Sequence, residues 1–284
     1  MRNIVIIAVA CGCGAQDHDC REGPPTLHAL DAFPAAREWH TILEPATAEK
    51  RPLLAVRAVC SDVAKQVERV MADKAFPLVI GGDHSCAVGT WSGVYHAIRQ
   101  RGPLGLIWID AHMDSHTFAT TPSRALHGMP LACLLGHGAP ELTHIAAPES
   151  KLRPEHVCLI GVRSYEAGEA RLLHDLGVRV FDMAEIRRRG LHAVFDEAIA
   201  IVERGTAGFG ISLDLDVLDP EEEPGVGSPA PGGLKRAELE REFRSLRGQP
   251  DFLAMEIVEY NPRRDKDHAT AQAAARLFSA IAPA

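Results

Sequence analysis

Short apolar runs alternate with segments of helical period along nearly the whole chain of 284 residues. That alternation narrows the available folds more than any other feature. The runs Ile4–Val9, Leu78–Ile80, Leu104–Ile109, Val157–Val162, Val178–Phe181, Phe209–Leu215 and Phe252–Ile257 read as strands. Several carry no polar alternation, as strands covered on both faces do not. Between them, Leu53, Val56, Val59, Val63, Val67 and Val70 recur in steps of three and four and share one helix face. Further helices are predicted over Ala87–Arg101, Glu166–Leu176, Leu191–Glu203, Lys235–Ser245 and Thr270–Ile281. The pattern predicts an α/β fold, a three-layer sandwich with a mostly parallel central sheet. No repeat or linker is visible, so one domain over residues 1–284 is expected. The Gly/Pro-rich stretch Pro220–Gly233 reads as a loop near a site.

Composition sets limits on partners. With 46% apolar and 24% charged residues, disorder is disfavoured. The 38 acidic against 30 basic residues give a net charge of −8. That balance argues against a nucleic-acid partner and suits a small cationic ligand. No apolar run reaches the roughly 20 residues of a membrane helix. The segment Met1–Cys11 has some features of a secretory leader, but a buried first strand explains Ile4–Val9 better. Seven scattered cysteines point to a reducing compartment, and a cytoplasmic location is expected.

In open α/β sheets, ligands bind beyond the carboxyl ends of the strands. Polar clusters follow three of these strands. After Ile80 comes Gly81-Gly82-Asp83-His84-Ser85, where the glycines permit a tight turn and His84 is expected to face the crevice. After Ile109 comes Asp110-Ala111-His112-Met113-Asp114. If the chain stays extended, Asp110, His112 and Asp114 share one face. After Ile211 comes Ser212-Leu213-Asp214-Leu215-Asp216, with Asp214 and Asp216 again alternating. Asp219, before Pro220, reads as a turn residue. Singly, each motif could be a surface turn or a set of structural hydrogen bonds. Together they supply four carboxylates and two imidazoles, a hard-to-borderline donor set large enough for two metal ions.

These motifs, in this order, resemble the ureohydrolase superfamily of arginase, agmatinase, guanidinobutyrase and formimidoylglutamase. The likeness runs from the first strand to Asn261-Pro262. It implies the arginase/deacetylase-like fold and two Mn²⁺ per chain, with other divalent metals left open. His84 and Asp114 would then bind one ion, His112 and Asp216 the other, and Asp110 and Asp214 both. Zinc deacetylases share the fold but lack an equivalent of His84. Leu126-His127-Gly128 resembles the family segment whose His shuttles protons, and Glu259-Tyr260-Asn261-Pro262 the segment whose Glu holds the guanidinium. Ser228 matches a pocket-lining position, and Ile160-Gly161-Val162-Arg163 a family strand end. Glu256, three residues earlier than Glu259, reads as a strand residue.

The implied substrate is a small guanidino compound, cleaved to urea and an amine. Two cations would lower the pKa of a shared water. Asp114 would orient that nucleophile, Glu259 would hold the guanidinium, and His127 would protonate the leaving amine. Arginases bind the α-carboxylate through an Asn and a Ser; the matching positions are His116 and Ser123, and a second Asn is replaced at Ala125. Glu166 stands where arginases place an Asp near the α-amine. Arginine is the favoured substrate, with agmatine, guanidinobutyrate or a formimino compound as alternatives. A non-catalytic metal-binding regulator is the reading from another class. The resemblance also implies a homo-oligomer. Cys11, Cys13, His18 and Cys20 imitate a zinc site, although their spacing is not a usual structural pattern. His137 and His144 read as loop residues, and Cys86, Cys133 and Cys158 as small core residues.

Overall fold

Eight strands form one sheet in the computed structural model, which describes residues 3–36, 38–45 and 50–282. They are β1 (Ile4–Ala10), β2 (Glu38–Leu43), β3 (Phe76–Gly81), β4 (Gly105–Ile109), β5 (Val157–Val162), β6 (Arg179–Asp182), β7 (Phe209–Asp214) and β8 (Phe252–Val258). Their order across the sheet is β2-β1-β3-β8-β7-β4-β5-β6, and every pairing is parallel. All residues of β3, β4, β5, β7 and β8 are buried, as their unbroken apolar runs predict.

Among the described residues, ten α-helices lie between or after the strands: α1 (Gly23–Ala29), α2 (Pro52–Ala72), α3 (Ala87–Ile98), α4 (Pro130–Leu134), α5 (Pro140–Thr143), α6 (Ala167–Leu176), α7 (Met183–Arg189), α8 (Leu191–Glu203), α9 (Arg236–Phe243) and α10 (Ala269–Ile281). Two apolar cores result, one on each face of the sheet. On one face, the Val56–Val70 stripe of α2 and Val88, Trp91 and Val94 of α3 cover Val5, Ile7 and Val9. On the other, α8, α9 and α10 cover Ile4, Ile6, Ile107, Ile211 and Met255. Val63 and Val67 are fully buried. Each contributes about 1.5–3 kcal/mol relative to exposure. Among the described residues, no helix is long and apolar enough to cross a membrane.

The sequence pattern misses β2. Its six residues, Glu38–Leu43, lie at the sheet edge and are mostly exposed, so no buried apolar run marks them. The sheet order has a direct consequence for the site. β3, β8, β7 and β4 are consecutive neighbours, and their carboxyl ends carry His84, Glu259, Asp214 and Asp110. Four segments distant in sequence therefore open onto one crevice.

Candidate metal centre and substrate pocket

Past the end of β3 the chain is pressed against the end of β1: a Cβ on Gly82 would lie 2.0 Å from the carbonyl oxygen of Cys11. Glycine is thus required for this close approach. Asp83 caps the next turn by accepting from the backbone of Ser85, and a 3-10 turn begins at His84. The His84 ring is fully buried and stacks on Trp108, with centroids 4.2 Å apart. Its Nε2 lies 2.9 Å from Ser212 Oγ, whose hydroxyl donates to Glu256 Oε2 at 2.7 Å. This chain makes Nε2 the protonated nitrogen and turns the Nδ1 lone pair to the crevice.

Among the described residues, Nδ1 of His84 has no hydrogen-bond partner. Around it stand Asp114 Oδ2 at 3.0 Å, Asp214 Oδ2 at 3.2 Å and Asp110 Oδ2 at 3.3 Å. A second group gathers around His112 Nδ1, with Asp216 Oδ2 at 3.0 Å and Asp110 Oδ1 at 3.4 Å. Asp110 thus presents one oxygen to each group. Asp214 presents Oδ2 to the His84 group, while its Oδ1 accepts from the backbone of Asp216 at 2.8 Å.

All six ligand-type residues converge, but not through strand alternation. β4 ends at Ile109 and β7 at Asp214. Asp110 Oδ1 accepts from the His112 backbone at 2.6 Å, and Asp114 adopts a left-handed φ of 46°. Asp216 reaches the site in a 3-10 turn over Leu215–Val217. Turns that the carboxylates themselves cap do what an extended chain was expected to do.

Four buried carboxylates in one place are costly without compensating cations. Burial pushes the Asp214 carboxyl well above its usual range, and burial together with Asp110 raises Asp114 to about 6. An unpartnered buried imidazole nitrogen amid acidic oxygens is a donor set that fits divalent metal ions.

A cavity of about 150 Å³ opens over this cluster. His112, Asp114, Asp214 and Asp216 line its floor, and His127, Ser228 and Glu259 its wall. His116, Ser123, Glu166 and Glu169 lie at the rim. Every residue singled out for substrate contact therefore borders one space. The loop 220–233 delivers Ser228 to it, as expected, and Asp219 accepts from the Lys235 ammonium and the Glu221 backbone as a turn residue.

Glu259 leaves β8 with a left-handed φ of 64°, a strained conformation for a non-glycine residue. Its Oε1 accepts from the His84 backbone at 2.9 Å and faces His127 Nδ1 at 3.0 Å. Its Oε2 accepts from Cys20 Sγ at 3.2 Å. Gly227 leaves the room this carboxylate needs, since a Cβ there would sit 2.4 Å from Oε2. Burial opposes a charge on His127, but Glu259 prevails and raises the imidazole to about 9. At the rim, His116 Nε2 pairs with Glu166 Oε2 at 2.9 Å, and its Nδ1 meets Thr120 Oγ1 at 3.1 Å. Burial pushes Glu169 up to about 8, while the His116 hydrogen bond keeps Glu166 below its usual range.

Three supports escaped the sequence reading. Glu256 is a strand residue as expected, yet it anchors the His84–Ser212 chain and also accepts from Thr90 and Trp91. Cys20 buttresses Glu259 and does not join Cys11 and Cys13 in a metal site. The Arg163 guanidinium donates to the carbonyls of Asp216 and Ala230, both at 2.7 Å, and so pins the Asp216 turn to the 220–233 loop.

The arginase-family profile matches residues 2–282. The chain belongs to the arginase family. It is 42% identical to the arginase of Bacillus caldovelox over 231 residues, 81% of this chain and 76% of that one. It is 43% identical to the arginase of Brevibacillus brevis over 219 residues, 77% and 72% of the two chains. The fold superposes on the crystal structure of the Bacillus cereus arginase with a TM-score of 0.90 at 34% identity, covering 99% of this chain and 98% of that one. The family and the fold make this chain a ureohydrolase, which sets aside the non-catalytic reading.

Proposed function

We propose that this enzyme hydrolyses L-arginine to ornithine and urea with two Mn²⁺ ions. One observation carries the reading: a single cavity joins the His/Asp cluster to the His127–Glu259 pair and to an acidic, hydroxyl-bearing rim. The relatives named arginase support arginine as the substrate. His84 and Asp114 would hold one ion and His112 and Asp216 the other, with Asp110 and Asp214 shared. When bound, such a pair lowers the pKa of a water enough to supply a nucleophile at neutral pH.

The chain's own residues do the rest. Glu259 receives the guanidinium at the wall of the cavity through charge-assisted hydrogen bonds. Asp114 orients the attacking oxygen from the floor. His127, protonated at neutral pH, stands beside Glu259 and gives its proton to the departing amine. Glu166 and Ser123 meet the amino-acid end of the substrate, with His116 tying Glu166 to the loop. Mn²⁺-reconstituted enzyme incubated with arginine should release urea and ornithine in equal amounts; ornithine without urea, or neither product, would refute the reading.

The metal assignment has its own test. Elemental analysis after Mn²⁺ loading should give about two ions per chain, as a two-metal site requires. His84→Asn should weaken one ion selectively, and Asp110→Asn both, because Asp110 presents an oxygen to each histidine. Equal occupancies in the two variants would contradict the shared role.

A further inference from the structure

One acid–thiol cluster lies outside the cavity that the proposed chemistry uses. Beyond the end of β1, Cys11 Sγ and Cys13 Sγ are 3.1 Å apart, and both residues are buried. Glu44 completes the cluster, but its carboxylate already accepts from the Gly12 backbone and from Arg21, each at 3.0 Å. A cation there would have to displace Arg21, so the thiols themselves are the reactive feature. Cys13 also lines a second cavity, of about 140 Å³, whose wall includes Gln16, Ser123 and Arg124. That space admits a small oxidant to a side chain that is otherwise covered.

The segment that holds the two thiols also holds the catalytic parts. The carbonyl of Gly14 accepts from the backbone of Leu126 at 2.7 Å and of His127 at 3.1 Å. The Gly14 amide donates to Asp83 Oδ2 at 2.8 Å, and the Cys11 carbonyl accepts from the Asp83 backbone at 3.0 Å. His127 and the residue before His84 are therefore both tied to the loop 11–14.

We infer that Cys11 and Cys13 form a peroxide-driven, reversible disulfide that turns down turnover by displacing the Gly14 support of His127. The Cys13 thiolate attacks one oxygen of hydrogen peroxide, and the O–O bond breaks. Cys13 becomes a sulfenic acid and the other oxygen leaves as water after taking up a proton. The Cys11 sulfur, losing its own proton, then attacks the Cys13 sulfur and expels the second water. Two thiols lose two electrons to one peroxide, giving one disulfide and two waters. Cys13 borders the second cavity, which suits it to the first attack and leaves Cys11, 3.1 Å away, as the resolving thiol. A disulfide needs the sulfurs about 2.05 Å apart. Closing from 3.1 Å therefore draws the loop by about an ångström. Misplacing a catalytic group by about that much can cost around 10²-fold in rate. The loss of turnover rests on His127 being the proton donor; the disulfide does not.

The test exposes Mn²⁺-loaded wild type to hydrogen peroxide, removes the excess with catalase, then unfolds and alkylates the protein. Of the seven cysteines, five should take the label (seven minus the two in the bond), and fragmentation should place the unlabelled pair at Cys11 and Cys13. Unalkylated protein should be about 2 Da lighter, the two hydrogens lost in forming one disulfide. Urea release should fall by about 10²-fold and return with dithiothreitol. Cys13→Ala and Cys13→Ser should keep basal turnover and resist peroxide. Seven labels, or a bond between other cysteines, would overturn the inference. So would a Cys11–Cys13 disulfide with unchanged turnover in an enzyme that His127→Asn disables. If His127→Asn is itself fully active, the proposed mechanism fails instead, and the disulfide stands or falls on the mass alone.

Discussion

Replacing His127 by Asn is expected to leave both metal ions in place and to lower kcat by roughly 10²–10⁴-fold, the usual worth of a positioned general acid. Asn can still donate to Glu259 but has no proton to give the leaving amine. The wild-type imidazole is ready for that role because Glu259, 3.0 Å away, raises it to about 9 against the opposing effect of burial. The sign of the pH dependence follows. The protonated form dominates below about 9 and is lost as pH rises through that value, so an alkaline limb in kcat should be present in wild type and absent in the variant. The measurement pairs steady-state urea release across pH with metal content of the same samples. Full activity at neutral pH in His127→Asn would remove this residue from the mechanism.

The strands that bear the site were legible because burial on both faces demands unbroken apolar runs, and the ligand motifs directly follow those runs. The edge strand β2 was not, since an exposed edge imposes no such demand on Glu38–Leu43. The ligand set was legible as residue types at strand ends, but its geometry was not. Left-handed backbone at Asp114 and Glu259 and the carboxylate-capped turns at Asp110 and Asp214 depend on neighbours far away in sequence. The Ser212–Glu256 support had left a trace. Each is a polar residue inside an otherwise apolar strand, and the two are direct cross-strand partners of β7 and β8. A buried carboxylate must find donors, so Glu256 already implied a partner; only the sheet order shows that the partner is the serine behind His84.

The rim makes the second large effect. Arginine should be hydrolysed with a higher kcat/KM than agmatine, because a polar rim shaped for an amino acid leaves its groups unpaired around a decarboxylated substrate. Such mismatches cost up to about 10⁴-fold in favourable cases. Two features moderate the ratio here. His116 spends its Nε2 on Glu166, so that nitrogen is not free to meet the carboxylate. Glu166 is largely exposed, with a side chain 60% accessible, so water competes for the same contacts. Glu166 remains the charged acid of the rim, while burial leaves its neighbour Glu169 protonated up to about 8. The α-ammonium of arginine should therefore pair with Glu166 and not with Glu169. Glu166→Ala should lower arginine turnover more than that of 4-guanidinobutyrate, which has no ammonium to offer. Urea release from arginine, agmatine and 4-guanidinobutyrate by wild type and variant decides the matter. A wild-type preference for agmatine or guanidinobutyrate would end the assignment to arginine and leave the ureohydrolase chemistry of the cavity floor intact.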